Sequence, residues 1–168
     1  MLNEKEAKRY SRQIASIGEE GQERLKSAHV VLAGAGGLGC PAAAYLCAAG
    51  VGRLTIIDPD QVELTNLNRQ ILHWEKDIGR HKVISVREKL EAMNRGVTIE
   101  DLCETVTMQN APELTGQASL IIDALDAATS IAGTVDEDLG ATNSPINKEK
   151  LLRAKRYAHG LLRGQGKG

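Results

Sequence analysis

The sequence predicts an α/β domain: a doubly wound, mainly parallel sheet with helices on both faces, preceded by a helical arm. Three observations predict it. His29 to Gly39 reads HVVLAGAGGLG, a short apolar run, a glycine-rich turn and then a helical pattern from Leu38 to Ala49. A second apolar run, Arg53 to Asp58, ends in a carboxylate 19 residues past Gly39. Beyond it, strand-like runs keep alternating with stretches of three-to-four apolar spacing, which implies crossover connections and hence parallel strands. A strand, a glycine turn and a helix followed by an acid at the end of the next strand is the Rossmann-like arrangement for a nucleotide. The glycines admit a tight turn and close backbone approach to a phosphate, the helix N-terminus faces the same anion, and the acid meets a ribose hydroxyl.

The elements follow in order. Asn3 to Ser27 reads as a helical arm in two pieces, with Gly18 and Gly21 near the joint, a thin apolar face of Ile14, Ile17 and Leu25, and Arg9 and Arg12 projecting from the first piece. After the second strand, Pro59 to Arg80 is polar with weak periodicity. A loop of that size is usually functional. Val83, Val86, Leu90 and Met93 give Lys82 to Met93 a helical spacing. Thr98 to Cys103 is a third strand, Ala111 to Leu114 a helical turn at most, and Ser119 to Ile122 a fourth strand leading into Asp123-Ala-Leu-Asp126. Ala127 to Pro145 reads as an irregular loop, Ile146 to Arg156 as a helix and Tyr157 to Leu162 as a strand. The expected organisation is one domain: an arm over 1–27, a nucleotide-binding core over 28–126 and a divergent tail over 127–168.

Composition narrows the classes. The 168 residues are 42% hydrophobic and 26% charged, with a net charge of −1. Such a balance gives no support to electrostatic binding of nucleic acid or anionic membrane. No apolar run approaches the roughly 20 residues that span a bilayer. The N-terminus is charged rather than a leader, so a cytoplasmic setting is expected. With no Phe and only four other aromatic residues, the core must be aliphatic. Cys40, Cys47 and Cys103 form no C-x-x-C pair, and Cys40 and Cys47 read as small buried hydrophobes on the helix after the turn. His73, His81 and His159 lack ligand spacing, so no zinc site is expected.

The long segment chooses the chemistry. It reads DPDQVELTNLNRQ over 58–70 and then DIGRHK over 77–82. Hydride transfer has no evident need for this set of Asn, Arg and Lys beside a phosphate turn, whereas cleavage of a triphosphate does, because charge builds on the leaving pyrophosphate. Together with RYSRQ (9–13), GAGGLG (34–39) and DALD (123–126), these stretches resemble the ubiquitin-activating-enzyme-like adenylyltransferases. The likeness is greatest to the bacterial members that activate sulfur-carrier proteins for thiamine and molybdopterin synthesis.

The resemblance implies that Gly34, Gly36, Gly37 and Gly39 cradle the phosphates of ATP and that Asp58 holds the ribose. It places Asn66, Arg69, Gln70 and Lys82 along the triphosphate, with Arg69 and Lys82 stabilising charge during attack on the α-phosphate. Asp126 would help to hold Mg²⁺. Arg12 would reach the neighbouring subunit's site in a homodimer. The implied substrate is the C-terminal glycine carboxylate of a ubiquitin-like sulfur carrier, and the products are an acyl-adenylate and pyrophosphate. Three departures stand beside this, one being that INKEKLLRAKRYAHGLLRG (146–164), similar to the family's following helix and strand, comes after a longer link from Asp126 than usual. The family's Asn and Thr-Arg after DALD are replaced by Ala127, Ala128, Thr129 and Ser130, and the chain stops before the paired C-x-x-C zinc ligands and the carrier-docking half, as a C-terminally truncated member would. The rival readings are a non-catalytic ATP-binding or dimerisation module, a dinucleotide-dependent oxidoreductase, and the family's tRNA-modifying dehydratase branch.

Overall fold

The computed structural model describes residues 1–107 and 109–125. Strands β1 (His29–Ala33), β2 (Arg53–Ile57), β3 (Thr98–Leu102) and β4 (Leu120–Asp123) form one sheet in the order β3-β2-β1-β4. Every pairing is parallel. Ala33 is level with Ile57 and with Asp123, and Ile57 with Leu102, so the four strands end together. That register sets Gly34, Asp58, Cys103 and Ala124 along one edge of the sheet, with the strand order reversing direction at β1. Ligands of open α/β sheets bind in this crevice.

The helices α3 (Gly39–Ala49) and α4 (Lys82–Met93) connect β1 to β2 and β2 to β3. Both connections step the same way across the sheet, so right-handed crossovers put both helices on one face. The side chains agree: Val30, Leu32, Leu54 and Ile56 pack with Cys40, Ala43 and Cys47 of α3 and with Val83, Val86 and Leu90 of α4. The return from β3 to β4 passes β1 and carries the single turn α5 (Ala111–Thr115) to the opposite face. There Leu114 and Val106 pack with Val31, Ile57 and Ala118. The core is aliphatic, as the composition requires, and each fully buried Leu, Ile or Val stabilises it by about 1.5–3 kcal/mol.

The arm consists of α1 (Glu4–Arg9) and α2 (Ser11–Ser27). One break lies where expected, at Gly18, and a second lies at Tyr10. The helices part at Tyr10, α2 kinks at Gly18 with φ of 74°, and Gly21 stays helical. Tertiary hydrogen bonds account for the break at Tyr10. Asn94 Nδ2 donates to both the Tyr10 hydroxyl at 2.9 Å and the Cys47 carbonyl at 2.7 Å, while Arg9 Nη2 donates to the Met93 carbonyl at 2.8 Å. Gln13 and the fully buried Gln22 both donate to the Ala49 carbonyl, at 2.8 and 2.9 Å. The arm therefore satisfies carbonyls that the last turns of α3 and α4 cannot bond internally. Three residues of RYSRQ are spent on this, and Arg12 is left exposed.

The tail elements expected over 127–168 lie outside the described residues. No helix among the described residues is long and apolar enough to cross a membrane.

Cys40 and Cys47 are fully buried and Cys103 is exposed. Burial pushes the first two thiols up to about 11. Mixing the native chain with a thiol-specific chromogenic reagent at mildly alkaline pH is expected to modify Cys103 at once and the other two only on addition of denaturant. Prompt reaction of Cys40 or Cys47 in the native chain would contradict this packing.

Candidate nucleotide site

The aligned strand ends open into a cleft of about 770 Å³ lined by Gly34, Gly36, Gly37, Asp58, Asn66, Arg69, Gln70 and Lys82. Asp58 and Lys82, 24 positions apart along the chain, both reach it because the Pro59–Arg80 segment closes on itself. Val62 N–H donates to the Arg80 carbonyl at 2.9 Å, Gly79 N–H to the Val62 carbonyl at 2.8 Å, and Lys82 N–H to the Asp60 carbonyl at 2.9 Å. The loop thus leaves the β2 end and returns to it, delivering Asn66, Arg69 and Gln70 from its body and Lys82 from the first position of α4. Glu104, Thr105 and Val106 also line the cleft. No sequence pattern marked these three.

The glycines divide into two kinds. Gly34 has φ of 98°, and a Cβ there would lie 2.6 Å from the Ala124 carbonyl oxygen; a Cβ on Gly39 would lie 1.9 Å from the Gly34 carbonyl oxygen. Both are demanded by the protein's own packing, and Gly39 does not line the cleft. A Cβ on Gly36 or Gly37 would meet only the ends of Gln70 and Arg69, at 3.7 and 3.6 Å. Protein packing gives no reason for glycine at these two positions, whereas a ligand approaching the backbone does. The N–H groups of Gly36, Gly37 and Leu38 have no acceptor among the described residues. They stand at the N-terminus of α3, where the helix dipole favours an anion.

Around this turn the side chains are held ready. Asp58, buried, accepts from Ala35 N–H at 2.7 Å and from Asp60 N–H at 2.9 Å. Asn66 accepts from Glu63 N–H at 2.9 Å. Arg69 lies beside Gly37, steadied by the Thr65 carbonyl at 2.9 Å and Asn68 Oδ1 at 3.0 Å, with no carboxylate partner among the described residues. Gln70 is buried and its Oε1 has no hydrogen-bond partner among the described residues, which is costly unless a ligand supplies one. Lys82 has a buried stem and pairs with Asp60 at 2.7 Å, whose side chain is 62% exposed. Asp60 keeps much of its hydration in this pair, so a polyphosphate can take its place on the Lys82 ammonium. Among the described residues no cluster of three His, Cys, Asp or Glu could hold a metal ion. Arg12 does not line the cleft of its own chain, and Asp126 lies outside the described residues.

Beneath the turn runs a buried polar chain that the sequence pattern concealed. His73 Nε2 donates to the Ala35 carbonyl at 2.9 Å, and its Nδ1 faces Ser85 Oγ at 3.0 Å. Lys89 donates to Ser85 Oγ at 2.8 Å and pairs with fully buried Asp77. Asp77 also accepts from Trp74 N–H at 3.0 Å and from Arg80 at 2.9 Å. Ser85 and Lys89 are one helical turn apart, so by periodicity they belong to a solvated stripe of α4. The loop body instead folds over that stripe. The available signal was slight: Lys82, Ser85 and Lys89, at intervals of three and four, share one side of α4, and Asp77 stands in the loop before it.

Burial holds the His73 imidazole below its ordinary value, opposed by the Ala35 carbonyl and reinforced by Lys82 and Lys89. Burial would raise the Asp77 carboxyl, but the hydrogen bonds from Lys89 and Trp74 N–H leave it lowered. Both shifts have the same sign. For each group the unfolded chain binds more protons in the window just below its unfolded value, about 6.5 for His and 3.9 for Asp. The stability is complete above that value and is lost as pH falls through the folded one. Urea midpoints are expected to drop on going from pH 7.5 to 5.5, with a smaller drop for His73→Gln and a second, steeper loss below about pH 4. A midpoint rising on acidification would refute the assignment. In the same assay, Gly39→Ala is expected to lose about 3 kcal/mol or more, and Gly37→Ala less than about 1 kcal/mol.

Comparison with known proteins agrees with this geometry. Residues 10–133 match the model of the ThiF family. The adenylyltransferase and sulfurtransferase MOCS3 of Anopheles gambiae is 50% identical over 127 residues, which is 74% of this chain and 29% of that protein. The sulfur carrier protein adenylyltransferase of Thermus thermophilus is 45% identical over 123 residues, 72% of this chain and 45% of that protein. The chain therefore spans less than half the length of these relatives. Among solved structures, the ATP complex of the tRNA N6-threonylcarbamoyladenosine dehydratase of E. coli superposes with a TM-score of 0.76 at 28% identity, over 82% of this chain and 57% of that one. By its fold, its cleft and its sequence, the chain belongs to the ThiF family.

Proposed function

We propose that this chain binds Mg-ATP in the cleft and adenylates the C-terminal glycine carboxylate of a ubiquitin-like sulfur carrier, releasing pyrophosphate. The observation that carries the reading is the row of unbonded N–H groups at Gly36, Gly37 and Leu38, faced by Arg69, Gln70 and Lys82. An NAD site shares the glycine turn but does not account for an arginine with no carboxylate partner among the described residues and an exchangeable lysine beside it. Gly36 and Gly37 leave the backbone open to the phosphates, Asp58 keeps the turn in place and takes the ribose hydroxyls on its remaining lone pairs, and Asn66 and Gln70 complete the polar lining. Arg69 and Lys82 stabilise the charge that builds as the carboxylate attacks the α-phosphate and pyrophosphate departs. Mg²⁺, when bound, lowers repulsion between the two anions. A nucleotide-held Mg²⁺ needs only one or two protein carboxylates, and Asp126 is the residue assigned to it.

The working unit is a homodimer in a cytoplasmic setting. Arg12 has no bonding partner in its own chain among the described residues, which suits a residue that serves a neighbour's site. Leu38 and Tyr45, seven positions apart and so on one side of α3, are 73% and 79% exposed on an otherwise apolar helix. A second copy is the natural cover for that side. The higher identity to carrier-activating relatives than to the dehydratase favours the carrier as substrate over tRNA.

The test is calorimetric titration with Mg-ATP, followed by carrier-dependent exchange of labelled pyrophosphate into ATP. Lys82→Met keeps the buried stem and removes the charge, so it is expected to weaken ATP binding about ten- to hundredfold, the loss of one charge-assisted hydrogen bond, with little change in melting temperature. Wild-type affinity in this variant would remove Lys82 from the site. Binding without exchange above background would leave a nucleotide-binding module in place of the enzyme.

A further inference from the structure

We propose that His73 is a positioning residue of the phosphate turn: its Nε2–H holds the Ala35 carbonyl under the turn and thereby aims the Gly36 N–H at the nucleotide's phosphates. The inference rests on the ATP reading and adds to it the residue that orients the anion-binding backbone.

Ala35 is gripped from two sides. Its N–H is taken by Asp58 Oδ2 at 2.7 Å, and its carbonyl accepts from His73 Nε2 at 2.9 Å and from the Cys40 thiol at 3.2 Å. A trans peptide is planar, so the Gly36 N–H points opposite to the Ala35 carbonyl. Fixing one fixes the other. Gly36 has no Cβ to resist rotation of its neighbours, and a glycine turn without such a hold samples many orientations. Orienting donors before the ligand arrives removes that entropy from binding.

The tautomer follows from the partners. A carbonyl oxygen cannot donate, so a ring nitrogen 2.9 Å from it must carry the proton. Nδ1 of the neutral ring is then an acceptor, and Ser85 Oγ at 3.0 Å is the group that donates to it. The Ser85 oxygen already accepts from Lys89 at 2.8 Å, with Asp77 holding Lys89 in place, and its one proton faces two acceptors, Nδ1 at 3.0 Å and the Leu72 carbonyl at 3.3 Å, of which Nδ1 is the nearer. The donors run in one direction, Lys89 to Ser85 to His73 to Ala35. Asp77, the first residue of DIGRHK, anchors the far end, while Lys82, the last, enters the cleft. One short stretch of sequence thus supports the turn from below and supplies its cation from above.

The test uses the 168-residue chain and three ligands, Mg-ATP, AMP and adenosine. His73→Leu removes the donor at similar bulk, and His73→Gln restores an N–H near the Nε2 position. Loss of one buried hydrogen bond that orients the phosphate donors is expected to weaken ATP and AMP by about tenfold in His73→Leu while adenosine affinity stays at its wild-type value. His73→Gln is expected to recover most of the loss. Unchanged ATP affinity in His73→Leu overturns the proposal, as does an equal loss for adenosine, which would mean general damage to the fold. Nitrogen-15 spectra of wild-type His73 give a reading independent of any variant: protonation at Nε2 is required, and a proton on Nδ1 alone overturns it. Failure of the wild-type chain to bind ATP would sink the ATP reading itself, a result distinct from each of these.

Discussion

The site depends first on one buried carboxylate. Asp58 sits at the end of β2 and bonds the backbone N–H of Ala35 with one oxygen and that of Asp60 with the other. It ties the turn after β1 to the loop after β2. Asp60 in turn accepts the Lys82 N–H and pairs with the Lys82 ammonium, so the N-terminus of α4 is located through the same chain of contacts. Three segments that a parallel sheet merely brings near one another are thereby set at hydrogen-bond distances. Asp58 performs this task for the turn whether or not a nucleotide is present, and the ribose contact proposed for it would be a second.

The cleft is built cheaply on its outside and rigidly underneath. Arg69 and Lys82 face it from positions where their charges are unpaired or paired with a solvated partner, so little is lost when they turn to phosphate. Below, Asp77, Lys89, Ser85 and His73 form a buried chain in which each polar group has a partner. A network of that kind is favourable only when complete, because each orphan in a low-dielectric interior is expensive. The contrast suits a site that must bind and release a polyanion without rearranging its own backbone. The unpartnered Gln70 oxygen belongs to the outer set, as a group whose bonding is completed by what enters.

The arm has a similar division. Arg9, Tyr10, Gln13 and Gln22 cap the ends of α3 and α4. These bonds span up to 84 residues of sequence, and they make the arm part of the domain rather than an appendage. Arg12, between them, remains in solvent. Family membership, the parallel sheet and the cleft at its strand ends form one consistent picture, and the chain spans less than half the length of the curated relatives it matches.

Local sequence was sufficient for the parallel strands, the crossover helices, the glycine turn and the acid after β2, because periodicity and turn chemistry act within a few residues and each has a distinct spacing, whereas the strand order came from the tertiary structure. The family resemblance nominated Asn66, Arg69, Gln70 and Lys82, and the closed loop does bring these four together. Local sequence could not separate Gly34 and Gly39, demanded by packing, from Gly36 and Gly37, left open for a ligand, since the distinction depends on what a Cβ would meet. Nor could it reveal that Ser85 and Lys89 turn inward or that His73 reaches Ala35, 38 positions away. Helical spacing says which residues share a side of α4, but only the fold over that side decides whether it faces water or protein. A polar stripe in solvent and a buried hydrogen-bond chain are written with the same letters, and tertiary contact alone distinguishes them.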